Sequence, residues 1–214
     1  MIVTCILLAL AGQRDKCRLI EAGADVYRDM AATIFKLGRD AYLAIPEDEL
    51  TLEQTEQRRI GKNTVLGCGF GMGAERFCGN YLRHLPRDEA KPLSEQIVYT
   101  DYRKHWAPLV PRLWRDLEHS ARRAMLCPGT TVTAQCGINY RLETVAGLPC
   151  LVCELLNGKR IHYMGAKVLP DRIDRFGYPV WTYWAYRKGL WRELEPTAHS
   201  SSKTRCKGSP ASCL

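Results

Sequence analysis

Long apolar runs are missing from the sequence, and so is an excess of acidic side chains. No apolar stretch among the 214 residues approaches the ~20 that a membrane-spanning helix needs, which excludes an integral membrane protein. The 23 acidic residues are outnumbered by 31 lysines and arginines, which gives a formal net charge of +8. This charge favours a polyanionic partner, but it does not distinguish nucleic acid from a membrane surface or from a basic protein without such a partner.

The start of the chain lacks the basic segment of a secretory signal. Ile2 to Ala11 is apolar, but no Lys or Arg precedes it. We expect a buried strand that runs into a helix here.

The ten cysteines lack a repeated spacing. Only Cys150 and Cys153 form a C-x-x-C pair, and neither a second pair nor histidines at zinc-finger spacing accompany it. A small disulfide scaffold is a poor fit, because the chain is long and its cysteines fall inside apolar segments. We therefore expect reduced thiols in a cytoplasm.

What the chain does contain is a globular balance of 46% apolar and 25% charged residues. Apolar periodicity predicts helices within residues 1–127, and short β-branched or aromatic runs predict strands within residues 128–194. Residues 195–214 are polar and without aromatic side chains, and we predict that they are disordered. The fold class is therefore α+β, with helices first and short antiparallel strands after them.

Turn and capping signals divide these regions into elements. Thr51 and Gln54 have the spacing of a capping box, which starts a helix at Leu52. Asn157-Gly158 is a hairpin signal between two strands. The predicted helices are 15–37, about 52–67, 74–85 and 106–127, and the predicted strands are 130–135, 139–145, 148–155, 160–168 and 180–187.

The most informative segment follows Leu52. Residues four apart on a helix lie on nearly the same face, so two cations, an apolar side chain and an aromatic form one stripe. Its members are Arg58, Lys62, Leu66 and Phe70. This order matches the phosphates, sugar and base of a nucleoside triphosphate, and the lysine would stabilise charge that develops on the displaced phosphate. The alternative is a solvated helix face, which is the ordinary role of basic residues at this spacing.

The same residues resemble a known motif. Arg58-x-x-x-Lys62, followed eight residues after the lysine by Phe70-Gly71, resembles motif B of the family A DNA polymerases. Leu10 to Gln13 and Glu21 to Ala31 are similar to the stretch after motif A in phage-type members, and 67–74 is also phage-like. The further matches, in the same order, are Tyr102-Arg103, Trp114, 155–163 and 189–192. The resemblance covers about residues 9–192 and implies a helical fingers subdomain followed by part of the palm.

The resemblance also implies roles for the stripe. Lys62 takes the place of the lysine that contacts the triphosphate and protonates the leaving pyrophosphate. Arg58 takes the place of the arginine that binds the outer phosphates. Phe70, beside Gly71, takes the place of the aromatic that stacks near the templating base pair.

Two neighbouring residues are less well matched. Leu66 stands where many members have an aromatic facing the sugar, so the resemblance does not define how the sugar is selected. Arg59 is placed to touch template phosphates, with a solvated side chain as the alternative.

Two aspartates that bind Mg²⁺ in this family are not found. The first should open motif A before Leu10, but residues 3–8 contain no aspartate, and the second should lie in a His-Asp-Glu motif that does not occur. Mg²⁺ is the cofactor that the resemblance implies. Because its ligands are missing, we expect no polymerisation by the isolated chain.

The polar tail offers an explanation for these departures. With suitably chosen codons, a one-base shift turns Arg205 to Cys213 into a sequence similar to the helix with which the family continues. We hypothesise that the gene is a frameshifted and internally shortened polymerase gene, and that 195–214 is its out-of-frame tail.

The leading prediction is therefore a fragment of a template-directed, phage-type family A DNA polymerase. Its partners would be primer-template DNA and deoxynucleoside triphosphates, without a membrane, in the cytoplasm of a bacterial or phage-infected cell. The first alternative is a basic DNA- or nucleotide-binding module without chemistry. The second is a degenerate product that does not fold stably.

Overall fold

A computed structural model describes residues 2–174 and 177–196 of the chain. The chain divides into two compact units between Leu113 and Trp114. The described part of the first unit is helical, and that of the second contains an antiparallel sheet, so the α+β class is confirmed. Of the segment predicted to be disordered, 195–214, all but the first two residues lie outside the described residues.

The first unit is built from short helices. A single 3₁₀ turn, Glu47–Glu49, lies between the fourth and fifth of them. The helices are α1 (Ile2–Leu10), α2 (Arg14–Glu21), α3 (Val26–Phe35), α4 (Arg39–Ala44), α5 (Leu52–Gly69), α6 (Ala74–Tyr81) and α7 (Arg87–Glu95), and α7 continues into a π-helical segment, Gln96–Trp106. The side chains in the core of this unit include Leu8, Met30, Val65, Phe77, Ile97, Tyr102 and Trp106. None of the described helices is long and apolar enough to cross a membrane.

Residues 2–10 form α1, and the strand predicted there is wrong. A strand needs a neighbour that takes its backbone hydrogen bonds, and the described residues of this unit contain no strand. A helix satisfies these groups within the segment. Thr4 and Leu8 form the buried side of α1.

The single helix predicted over 15–37 is also wrong. α2 ends before Gly23, which has a left-handed φ of +75°, and Asp25 then caps α3 by accepting hydrogen bonds from two backbone N–H groups. α3 ends at Phe35, because Lys36 adopts a left-handed φ of 54°. Apolar spacing misled here because it continues in phase through the short turn.

The prediction for α5 is confirmed and extended by two residues. The Thr51 hydroxyl accepts from the Gln54 N–H at 3.2 Å, and the Gln54 side chain accepts from the Thr51 N–H at 2.9 Å. Together these bonds make the predicted capping box. α4, α7 and the π segment were not predicted.

The second unit is an antiparallel meander against a helix. Among its described residues, six strands pair in chain order, each with its sequence neighbour. They are β1 (Thr131–Thr133), β2 (Asn139–Val145), β3 (Leu148–Glu154), β4 (Arg160–Ile173), β5 (Pro179–Arg187) and β6 (Leu190–Leu194). Five of these strands were predicted, and β6 was not. Gly158 forms the predicted turn between β3 and β4, with a φ of +76°.

The core of this unit lies between one sheet face and α8 (Leu109–Leu126), the helix in which the chain passes from one unit to the other. Ala121 and Ala124 of α8 pack with Leu151 and Trp181 of the sheet. Gly165 has a φ of +61° and lies at an irregularity in the pairing of β4 with β5. A Cβ at Gly165 would lie 2.2 Å from the Trp184 ring, so only glycine fits between these strands.

Candidate functional site

The candidate site lies along α5 and in the loop after it. α5 is fixed against α3 at Gly61, where a Cβ would lie only 2.1 Å from the Tyr27 carbonyl oxygen. The buried side of α5 includes Thr64, Val65 and Cys68. This anchoring leaves the predicted stripe beside the buried face, with Lys62 and Phe70 exposed and with Arg58 and Leu66 half-buried.

Arg58 is held by acidic groups of its own unit. Its Nε donates to the Asp25 Oδ2 at 2.6 Å, and its Nη2 lies 3.6 Å from the Glu47 carboxylate. The guanidinium also lies 5.7 Å from the centre of the Tyr27 ring. Burial lowers the pKa of Arg58, but the hydrogen bond that it donates to Asp25 and the negative charges of Asp25 and Glu47 together outweigh burial and raise that pKa, so the side chain stays charged. Arg58, which the sequence predicts to bind phosphate, is therefore already paired in part with acidic side chains.

Arg59 points along its own helix. Its Nε donates to the Glu56 carboxylate at 2.6 Å, one turn earlier, and both side chains are about half exposed. This is the geometry of an exposed intrahelical ion pair, which contributes little to stability. Its charge is thus largely compensated locally.

Lys62 is the cation of the stripe that α5 leaves available. Its side chain is exposed, and within residues 2–174 and 177–196 it makes no hydrogen bond or ion pair. Leu66, one turn further along, is half-buried. A flexible ammonium beside an apolar surface has the chemistry that the sequence predicts for a triphosphate contact.

Phe70 and Gly71 form the end of the site. Phe70 is 73% exposed, which is unusual for a phenylalanine beside a packed helix. Gly71 has a φ of +78°, a backbone conformation that L side chains rarely adopt, and it turns the chain away from α5. An aromatic ring is thereby presented to solvent at the C-terminal end of the stripe.

Cys68 is not a nucleophile in this arrangement. It is fully buried on the inner side of α5, and burial raises the pKa of its thiol to about 12. The thiolate that would react is therefore negligible near neutral pH.

Sequence reasoning missed Asp29, the buried carboxylate of the unit. Its side chain is 1% exposed and accepts from the Lys16 Nζ at 2.7 Å, the Arg39 Nε at 2.5 Å and the Trp106 Nε1 at 2.6 Å. Burial raises the pKa of Asp29, but the bonds from Lys16 and Arg39 outweigh that effect and lower it overall. The signal in the sequence was an aspartate directly before Met30, on the apolar side of α3.

Sequence reasoning also missed Asp25 as a partner of the stripe. The same carboxylate that caps α3 accepts from Arg58, 33 residues away. Nothing in the spacing of α5 points to it, because the contact depends on how α3 and α5 pack. A phosphate bound at Arg58 would therefore share the guanidinium with Asp25.

The polymerase resemblance implies a two-metal site held by two aspartates. Within the described residues, no group of three or more His, Cys, Asp or Glu is placed to hold a metal ion. The carboxylates of Asp25 and Asp29 are each taken up by basic side chains.

The chain matches no protein-family model, and none of the curated proteins matches it either. What the site can bind is therefore inferred from the residues of α5 and its loop alone. These residues offer one exposed cation, one shared cation and one exposed aromatic ring, which suits binding of a ligand that carries phosphate and a base.

Proposed function

We propose that the chain is the fingers and part of the palm of a phage-type family A DNA polymerase. In this proposal α5 binds the triphosphate of an incoming deoxynucleotide on primer-template DNA. The single observation that carries it is the order of side chains on one helix: Arg58, then the exposed Lys62, then the exposed Phe70 beside the left-handed Gly71.

Each side chain has a defined task in the proposed complex. Lys62 supplies a mobile positive charge to the phosphates and can hold a proton at its Nζ for the leaving pyrophosphate. Arg58 adds a second charge, and Asp25 positions its guanidinium. Phe70 offers a ring face on which a base can stack.

A second candidate function is nucleotide or DNA binding without chemistry. The observation that favours it is the pairing of Asp25 and Asp29 with basic side chains, which leaves these carboxylates without a free metal-binding edge. Under this alternative α5 binds the same ligands, and no nucleotide is joined. The two functions share the binding site and differ only in turnover.

The test is a titration of the full-length chain with a fluorescent deoxynucleoside triphosphate in EDTA. Lys62→Ala should weaken binding by about 10-fold or more, because a hydrogen bond to a charged group contributes about 1.5–3 kcal/mol. Lys91→Ala is the matched control, since Lys91 is an exposed lysine on α7, and it should bind like the wild type. Equal affinity of the wild type and Lys62→Ala would contradict the proposal.

Primer extension on a primed template with Mg²⁺ separates the two functions. We expect no extension by the isolated chain. Extension that is lost in Lys62→Ala would show that the chain is an active polymerase.

A further inference from the structure

The π segment Gln96–Trp106 lies beside the end of α5, next to the candidate site. Eleven consecutive π-helical residues are far more than the single-turn bulges in which this conformation usually occurs, often at functional sites. One side of the segment is buried through residues such as Tyr102 and Trp106, whose rings stack at 5.5 Å. A Cβ at Gly69 would lie 3.6 Å from the Tyr102 hydroxyl, so the segment packs against the end of α5.

Arg103 ties this segment to the loop that follows Phe70. Its Nη2 donates to the Met72 carbonyl oxygen at 3.2 Å. Its guanidinium also lies 5.1 Å from the centre of the Tyr99 ring, one turn earlier on the same segment. Arg103 therefore fixes the loop and orients Tyr99 at the same time.

Tyr99 lies beside the same loop. A Cβ at Gly73 would be 3.8 Å from the Tyr99 hydroxyl oxygen. Tyr99 is 38% exposed, and Phe70, three residues before Gly73, is 73% exposed. Among the nine aromatic side chains described in the first unit, only these two and Phe35 are exposed.

Basic side chains follow Tyr99 on the π segment. The last turn of the π segment carries Arg103, Lys104 and His105, and the latter two are exposed. Exposed aromatic rings combined with cations are the means by which proteins bind single-stranded nucleic acid without sequence preference. An arginine stacked on a tyrosine also lowers the conformational freedom of both side chains before the ligand arrives.

We propose that Tyr99 is a stacking site for an unpaired DNA base, and that Arg103 positions both Tyr99 and the loop carrying Phe70. This inference rests on the proposed function and extends it. The nucleotide contacts α5, while the unpaired template strand continues over the 70–73 loop to the π segment.

The test measures two affinities of the full-length chain. Anisotropy with a fluorescein-labelled oligo(dT) 12-mer reports the single strand, and the fluorescent triphosphate titration reports α5. Tyr99→Ala should weaken oligo(dT) binding by about 5-fold or more, because one stacked base is worth that factor at least. It should leave triphosphate binding unchanged, and Tyr99→Phe should retain most of the affinity because it keeps the ring.

A second measurement does not depend on the stability of the variants. Photocrosslinking of the wild type to an oligonucleotide containing 5-iododeoxyuridine should give an adduct at Tyr99 or Phe70, located by peptide mass spectrometry. For the affinity measurement, Tyr186→Ala is the matched control of Tyr99→Ala, since Tyr186 is 62% exposed on β5, and it should bind oligo(dT) like the wild type.

The outcomes distinguish the two proposals. If triphosphate binding depends on Lys62 but Tyr99→Ala binds oligo(dT) normally and no adduct forms at Tyr99 or Phe70, the stacking site is wrong and the proposed function stands. If the wild type binds neither ligand, the proposed function fails and the stacking site fails with it. Loss of oligo(dT) affinity in both Tyr99→Ala and Tyr99→Phe would overturn stacking in favour of a role for the hydroxyl group.

Discussion

Asp29 is the side chain on which the polar core of the helical unit depends. It brings together Lys16, Arg39 and Trp106, which come from three other segments of the chain. A buried carboxylate is tolerated when its charge is paired and its oxygens are hydrogen-bonded, and Asp29 meets both conditions. Removing the carboxylate takes the nearer acidic partner from Lys16, whose side chain is 12% exposed, and loss of one partner is the costly change in a buried ion pair.

Asp29 makes the free energy of unfolding depend on pH in the acidic range. Its pKa is below its ordinary value, which is near 4 in the unfolded chain, so the unfolded state takes up a proton first as the pH falls. The contribution of Asp29 is complete above about pH 4 and is lost as the pH falls through the lowered pKa. At pH 7 we expect Asp29→Asn to lower the free energy of unfolding by about 3 kcal/mol and, between pH 5 and pH 2, to flatten its decline with acid.

Urea denaturation followed by circular dichroism at a series of pH values measures both effects. Asp40→Asn is the control, because the Asp40 side chain is 96% exposed and its loss should change stability by less than about 0.5 kcal/mol. An Asp29→Asn variant with wild-type stability at pH 7 would show that the buried pair is not a net stabilising contact.

At the scale of elements, the crossing of α3 and α5 determines where the candidate site lies. Gly61 lets the two helices approach until the Tyr27 carbonyl fills the space of its missing side chain. The same approach brings Asp25 within 2.6 Å of Arg58. One glycine therefore controls both the packing and the electrostatics of α5.

Gly61→Ala should force α3 and α5 apart. The Cβ would lie 2.1 Å from a backbone oxygen, which cannot move aside as a flexible side chain can. We expect a loss of about 3 kcal/mol in the free energy of unfolding, at the upper end of overpacking effects.

Gly79→Ala on α6 is the matched helical control, since nothing lies within 4 Å of its Cβ position. It should be neutral or should stabilise the protein by up to about 1 kcal/mol through helix propensity. Thermal melts of both variants measure the difference in their stability. Equal midpoints would mean that α3 and α5 do not cross closely at Gly61.

The elements differ in how much the sequence reveals of them. α5 was predictable because its capping box is local, involving only Thr51 and Gln54. α1 was not, because the same apolar run suits a strand or a helix until the neighbours are known. The break at Gly23 was hidden because apolar spacing runs through it without a change of phase.

At the scale of the whole molecule, the net charge of +8 would favour the proposed association with nucleic acid. Phosphate contacts release counterions, so affinity falls with salt in proportion to the number of contacts. With about two phosphate contacts, raising NaCl from 50 to 200 mM should weaken primer-template binding by roughly 10-fold.

Anisotropy titrations at four salt concentrations test this expectation. Lys104→Ala should reduce the slope of log K against log salt by about one, because the proposed path of the DNA strand over the π segment then loses one exposed cation that can contact a phosphate. Lys91→Ala should keep the wild-type slope. Binding that does not change with salt would mean that phosphate contacts are not what holds the DNA.

The amino-acid sequence by itself determined the order of the two regions, the helix that carries the stripe and five of the six described strands. These features follow from local periodicity, caps and turns, which involve residues close together in the chain. Only the tertiary structure decided which charged side chains are paired and with which partners. Arg58 is shared with Asp25, Lys62 stays available and Asp29 collects three partners from segments up to 77 residues away. The physical reason is that hydrogen bonds and ion pairs depend on distance in space, which spacing along the chain does not encode.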